Sequence, residues 1–234
     1  MPIRRVRWFW LVLLLALLAL GGITPTRAGT PNVHLLFGNP SGAVTDPTYE
    51  DNYLIERAQY ALAYRRADGI PRWVSWHLAA ADIGPAPRCD CFTADTSLPS
   101  GWNRVVSGDY TNSGYDRGHM TPSEDRTATD ADNAATFLMT NIVPQTPANN
   151  RGPWAYLERD SRILAQAGNE LAIISGPVGT LGTLAGGTVR VPAATWKGVL
   201  VLPAGAYNPA KVTTATRVIA IRTPNDASVQ QSDD

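Results

Sequence analysis

Residues able to do chemistry concentrate between positions 115 and 162. The stretch opens with Tyr115-Asp116-Arg117-Gly118-His119-Met120, which holds the last of only three histidines, and continues through Asn141, Gln145, Asn149, Asn150, Glu158 and Arg162. Histidine is the usual general base near neutral pH. Arg117 beside it supplies a planar, permanently charged fork suited to phosphate oxygens, and Asp116 is placed to orient a neighbour. Gly118 lets the backbone turn sharply or approach a ligand closely. Carboxamide and carboxylate oxygens suit Mg²⁺, which keeps most of its waters and takes only one or two protein ligands. One asparagine oxygen and an outer glutamate are therefore enough. Residue types alone leave blander readings open. Asp-Arg-Gly-His is commonly a turn, Asn149-Asn150 can simply reverse the chain, and Glu158 with Arg162 can be an exposed helical pair worth about 0.3–0.5 kcal/mol.

The flanking segments read as the sheet and helices that hold this stretch. Val33 to Phe37 is a short apolar run before a Gly-Asn-Pro-Ser-Gly turn and is expected to be a strand. Residues 53–64 fit helix or strand, with Tyr and Ile favouring strand. Together with Arg72 to Leu78 they are read as a hairpin at the centre of the sheet. Residues 131–138 look helical, Met139 to Val143 extended, and Pro144 to Asn150 a loop. Pro153 suits the first position of a helix that carries Trp154, Leu157, Ser161 and Leu164 at helical spacing to about Gly168. Glu170 to Ser175, Val189 to Pro192, Trp196 to Leu202 and Arg217 to Ile221 read as further strands, with a polar tail from about Pro224. The expected class is α+β, a mixed or antiparallel central sheet flanked by helices. His34 and His77 are read as structural, and Lys197 as a surface cation without a chemical role.

Residues 1–28 read as a secretory leader. Arg4, Arg5 and Arg7 precede an apolar run from Trp8 to Leu20, and Thr26-Arg27-Ala28 offers a cleavage site. Retention as an anchor is the alternative, although the run is shorter than the roughly 20 residues of a spanning helix. The expected location is secreted or periplasmic, with no stable membrane association once the leader is removed. A single domain is expected over residues 29–234. Four of the twenty basic residues lie in the leader, leaving sixteen against twenty acids. An acidic mature chain cannot hold a polyanion by its overall field. Attraction must come from local arginines and a cation. Cys89-Asp90-Cys91 leaves free thiols, a local bridge and an intermolecular bridge all open.

Four motifs in order then carry a resemblance. They are Arg88-x-x-x-Phe92-x-x-Asp95, the Tyr115 to Met120 string, Thr140-Asn141-Ile142-Val143-Pro144-Gln145, and Asn150-x-x-x-Trp154-x-x-Leu157-Glu158-x-x-x-Arg162. Together they resemble the DNA/RNA non-specific endonucleases, the ββα-metal group that includes mitochondrial endonuclease G. The similarity runs through most of residues 33–222. It implies a ββα-metal active-site motif and an Mg²⁺-dependent enzyme (Mn²⁺ or another divalent cation serving in its place) that cuts DNA and RNA to 5′-phosphate ends. It further implies His119 as general base, Asn150 rather than Asn149 as metal ligand, and Glu158 as the carboxylate orienting water at the metal. Arg88, Arg117 and Arg162 match phosphate clamps and catalytic residues. Asn141, the supporting amide, and Gln145 are taken with them as substrate-binding. A catalytically silent nucleic-acid-binding relative and a phosphodiesterase for small phosphate esters are the competing readings. An inhibitor protein and the oligomeric state are left open.

Overall fold

The computed structural model describes residues 32–229, so the expected leader and its cleavage site lie outside the described residues. In chain order the strands are β1 (Tyr53–Glu56), β2 (Ala61–Arg65), β3 (Ile70–Leu78), β4 (Asp116–His119), β5 (Ile142–Gln145), β6 (Asn169–Val178), β7 (Gly182–Leu184), β8 (Val189–Val191), β9 (Ala194–Pro203) and β10 (Arg217–Pro224). Helix α1 (Asp130–Thr136) lies between β4 and β5, and α2 (Pro147–Arg151) and α3 (Pro153–Gln166) lie between β5 and β6. Six strands form one sheet in the order β1-β2-β3-β6-β9-β10, with every neighbouring pair antiparallel. Two ribbons, β4–β5 and β7–β8, stand apart from it. The α+β expectation holds, with the sheet antiparallel rather than mixed.

The large sheet follows from its sequence. β6 and β9 are β-branched and apolar, and they pair over ten residues each, from Asn169 opposite Pro203 to Val178 opposite Ala194. The β2–β3 hairpin closes through a 3-10 turn at Arg66–Asp68 and Gly69, whose φ of 64° is left-handed. A Cβ there would also lie 2.2 Å from the Thr188 carbonyl oxygen, so the turn needs glycine. On one face of the sheet Leu62, Tyr64, Trp76, Leu171, Ile173 and Val199 form a core with Met120, Ile142 and Trp154. Helix α3 buries Trp154, Leu157, Ser161 and Ala165, the 3–4 spacing of one stripe. Burying a side chain such as Leu157 contributes about 1.5–3 kcal/mol.

Several local expectations change. Val33–Leu35 is a 3-10 turn rather than a strand: the Asn32 side chain accepts from His34 N–H and winds it. The run 53–64 splits into β1 and β2, because Arg57 leaves the sheet to pair with buried Asp95. Residues Met139–Asn141 form a 3-10 turn before β5, and Pro147–Arg151 is helical, not loop. Thr146 caps that helix by accepting from Asn149 N–H, and Pro147 takes a first-turn position where its missing N–H costs nothing. The expected tail begins too early. Asn225 is fully buried, donates to the carbonyls of Pro144 and Pro192, and accepts from Thr146 N–H. No described helix is long and apolar enough to cross a membrane.

Candidate active site

Strands β4 and β5 pair from Asp116 opposite Gln145 to His119 opposite Ile142, and α2 and α3 follow, giving a ββα arrangement. Gly118 sits in extended strand, not in a turn. Its glycine is needed because a Cβ would fall 1.8 Å from Gln145 Oε1. Gln145 is wholly buried and donates to Thr195 Oγ1, so it packs on Gly118 instead of meeting substrate. Asn141 is also fully buried. Its side chain accepts from Thr121 N–H and donates to the carbonyls of Thr121 and Thr136, fixing the backbone just after His119. Both residues therefore support the ribbon, and neither offers a surface to a ligand. Trp154 of α3 donates its indole N–H to the His119 carbonyl, tying helix to strand.

One pocket, of about 180 Å³, is lined by His119, Asn150, Glu158, Arg88, Arg117 and Arg162, with Pro122, Ser123, Glu124 and Ala155 completing it. A larger apolar pocket of about 220 Å³ near Phe37, Ala172 and Val218 has no titratable side chain in its lining. The His119 ring packs against Phe137 edge-on at 4.8 Å and against Phe92 at 5.3 Å. Burial, seconded by the Arg88 charge, pulls its pKa down to about 3, so the ring is neutral near pH 7. Its Nε2 is buried without a hydrogen-bond partner. An orphaned imidazole nitrogen at a polar pocket is costly to the fold alone and is chemically useful.

The other groups are held from several directions. Arg117 donates to Ser107 Oγ at 2.7 Å and stacks over Phe92 at 4.7 Å. Arg88 is about half exposed, pairs with Asp90 at 2.6 Å, donates to Ser123 Oγ and covers the Phe137 ring. Cys89 and Cys91, on either side of Asp90, are joined in a disulfide. Asp116 takes two bonds from Arg151 and one, at 3.0 Å, from the Asn150 amide nitrogen. With its nitrogen so engaged, Asn150 keeps its carboxamide oxygen as the available ligand. Asn149 is buried and donates to Thr195, away from the pocket lining.

Glu158 and Arg162 share a helix face but do not pair. Glu158 meets Lys197 Nζ at 3.3 Å, while Arg162 bonds Asp125 at 3.2 Å and pairs with Glu124. Lys197 is not a surface cation. It is 1% exposed and lies over the Trp154 ring at 4.0 Å. Asp125 is equally buried and accepts from the Trp76 indole N–H. Burial raises the Glu158 and Asp125 carboxyls and lowers the Lys197 ammonium, while the opposite charges pull each back. Residue-type reasoning passed over Asp125 and read Lys197 as a surface cation. The signal for Lys197 was its parity with Thr195 and Val199 on the buried face of β9.

Among the described residues no three histidines, cysteines or carboxylates cluster as a metal site. The pocket's oxygen donors, the Asn150 carboxamide and the Glu158 carboxylate, fit a hard cation that keeps most of its own water.

His34 and His77 lie off the pocket. His34 is bonded to the Ala58 carbonyl and accepts from His77 N–H. The half-buried His77 ring packs on Tyr207 at 4.1 Å and stands 3.8 Å from Glu170, not on backbone.

Comparison with known proteins gives the family. Residues 38–233 match the family described as DNA/RNA non-specific endonuclease, and the chain belongs to that family. It is a metal-dependent endonuclease acting on nucleic acids. A nuclease of Nostoc sp. is 48% identical over 88% of this chain and 78% of its own length. A nuclease of Syncephalastrum racemosum is 37% identical over 62% of this chain and 44% of its own, and the mouse mitochondrial nuclease EXOG is 39% identical over 51% and 33%. A solved EndoG/EndoGI complex, 24% identical, superposes with a TM-score of 0.70 over 86% of this chain and 81% of that one, which concerns the fold alone.

Proposed function

We propose that this chain is an exported, Mg²⁺-dependent endonuclease that cuts both DNA and RNA to 5′-phosphate ends, with His119 as general base. The observation that carries this is the single pocket lined by His119, Asn150, Glu158 and three arginines. A neutral His119 with an unpartnered Nε2 takes the proton from the attacking water. Arg117 and Arg88, steadied by Ser107 and Ser123, face the phosphate oxygens. Arg162 adds positive charge at the pocket wall as negative charge grows on the phosphate. Asn150 by its carboxamide oxygen, and Glu158 through water, would hold the cation, which when bound supplies Lewis-acid stabilisation of the phosphate and the departing oxygen. Contacts confined to phosphate and sugar carry little sequence preference. Export rests on the basic and apolar pattern of residues 1–28.

The test is a gel assay of the mature protein on plasmid and on RNA, with Mg²⁺ and with EDTA. Cleavage of both polymers with Mg²⁺ only is expected, and the fragments should accept a kinase label only after phosphatase treatment. His119→Ala should lower turnover by about 100-fold or more with the fold retained. Full activity in that variant would remove His119 from the mechanism. Mass spectrometry of secreted protein starting near residue 29 would support export.

A further inference from the structure

Lys197 is a buried charge with no part in the proposed chemistry. It comes from β9, far in sequence from every motif, yet its ammonium reaches the carboxylate that lines the pocket. Its surroundings hold it tightly: Trp154 at 4.0 Å on one side, Trp76 at 5.7 Å on another, and Glu158 Oε1 at 3.3 Å ahead. Trp154 is the same residue that bonds the His119 carbonyl, so the cradle of Lys197 and the strand of the base are one assembly. Asp125 lies close enough to interact electrostatically with both Lys197 and Glu158. Stability alone is a poor reason for such a lysine, since apolar replacement of a whole buried ion pair is often neutral or stabilising.

We propose that Lys197 is a positioning residue for Glu158, its ammonium fixing the carboxylate in the pocket wall in the orientation that serves the cation. This rests on the role given to Glu158 above. Lys197 does not itself touch substrate. Without it, Glu158 loses its hydrogen-bonded cation, while the buried carboxylate of Asp125, itself bonded to Arg162, repels it. The carboxylate is then free to swing away from its place in the pocket wall.

A double-mutant cycle tests this on the mature enzyme: Lys197→Met, Glu158→Gln and the pair, each with kcat and KM on plasmid DNA and with Mn²⁺ binding by calorimetry in the absence of DNA. Lys197→Met is expected to lower kcat by about ten-fold or more with KM for DNA within about two-fold, and to weaken Mn²⁺ binding. In the Glu158→Gln background the same change should cost less than about two-fold, because its target is gone. An equal loss in both backgrounds, or near wild-type kcat and Mn²⁺ affinity in Lys197→Met, overturns the proposal. Should Lys197→Met not fold, Lys197→Gln keeps a hydrogen bond without the charge and undergoes the same comparison. If Glu158→Gln is inactive while Lys197→Met matches wild type, only this inference fails. If Glu158→Gln keeps full activity, the reading of the site fails and takes this inference with it.

Discussion

The pocket has two unlike walls. One is formed by α3, where Glu158 and Arg162 are mostly covered and meet Lys197 and Asp125, which lie behind them almost fully removed from water. The other is the Arg88 segment, about half exposed, where Arg88 pairs with a still more exposed Asp90 beside a small disulfide ring. Both present arginine to the same space. The difference teaches that a partly buried arginine such as Arg162 holds the architecture, because removing it strands the Asp125 charge that water cannot reach. An exposed one is free to act on substrate alone.

Variants can break or sharpen this contrast. The largest effect on stability is expected from Arg162→Ala, which leaves Asp125 buried without its guanidinium. The loss should be about 3–5 kcal/mol in urea unfolding, and a loss below about 1 kcal/mol would show that the inner wall is not held by this pair. The next concerns the two buried histidines. His34 is lowered to about 4 and His119 to about 3, each chiefly by burial, from an ordinary value of 6.5. Both bind a proton less readily folded than unfolded. Their contribution is therefore complete above pH 6.5 and is lost as pH falls toward those lower values. At about pH 5 each should have cost about 2 kcal/mol, and a stability curve flat from pH 7 to 5 would contradict their burial as neutral rings.

Gly118→Ala comes third. Its new methyl must displace the Gln145 side chain, which costs about 1–3 kcal/mol by overpacking and moves His119 out of register. Wild-type melting and activity would mean the ribbon is looser than its contacts imply. Arg88→Ala should be smallest in stability, within about 0.5 kcal/mol, while kcat/KM falls about 10–100-fold for a lost charge-assisted contact to phosphate. A clear fall in melting temperature there would erase the distinction between the walls.

Legibility in the sequence followed distance along the chain. Helix α3, α1, the β2–β3 hairpin and the late strands were readable because each announces itself within a dozen residues by period, cap or turn. The pocket residues His119, Asn150, Glu158 and the three arginines were readable because each stands in a short motif. Gln145 and Asn141 stand in one of those motifs too, yet they are wholly buried. A carboxamide looks the same in sequence whether it faces a ligand or ties down a strand. The segment 144–150 holds a helix of only five residues, Pro147–Arg151, and its entry is fixed by Asn225, which accepts from Thr146 N–H 79 residues away.

By itself, then, the sequence determined the family and the short motifs that hold the proposed base, cation ligand and phosphate clamps at fixed spacings. Tertiary structure alone decided burial and pairing. It took Lys197 from the surface to the buried space behind Glu158, gave Glu158 that lysine and Arg162 two acids, and joined Asn225 to α2. The physical reason is that a side chain's charge state and partner depend on what the folded chain brings around it, and those neighbours lie on strands and helices remote in sequence.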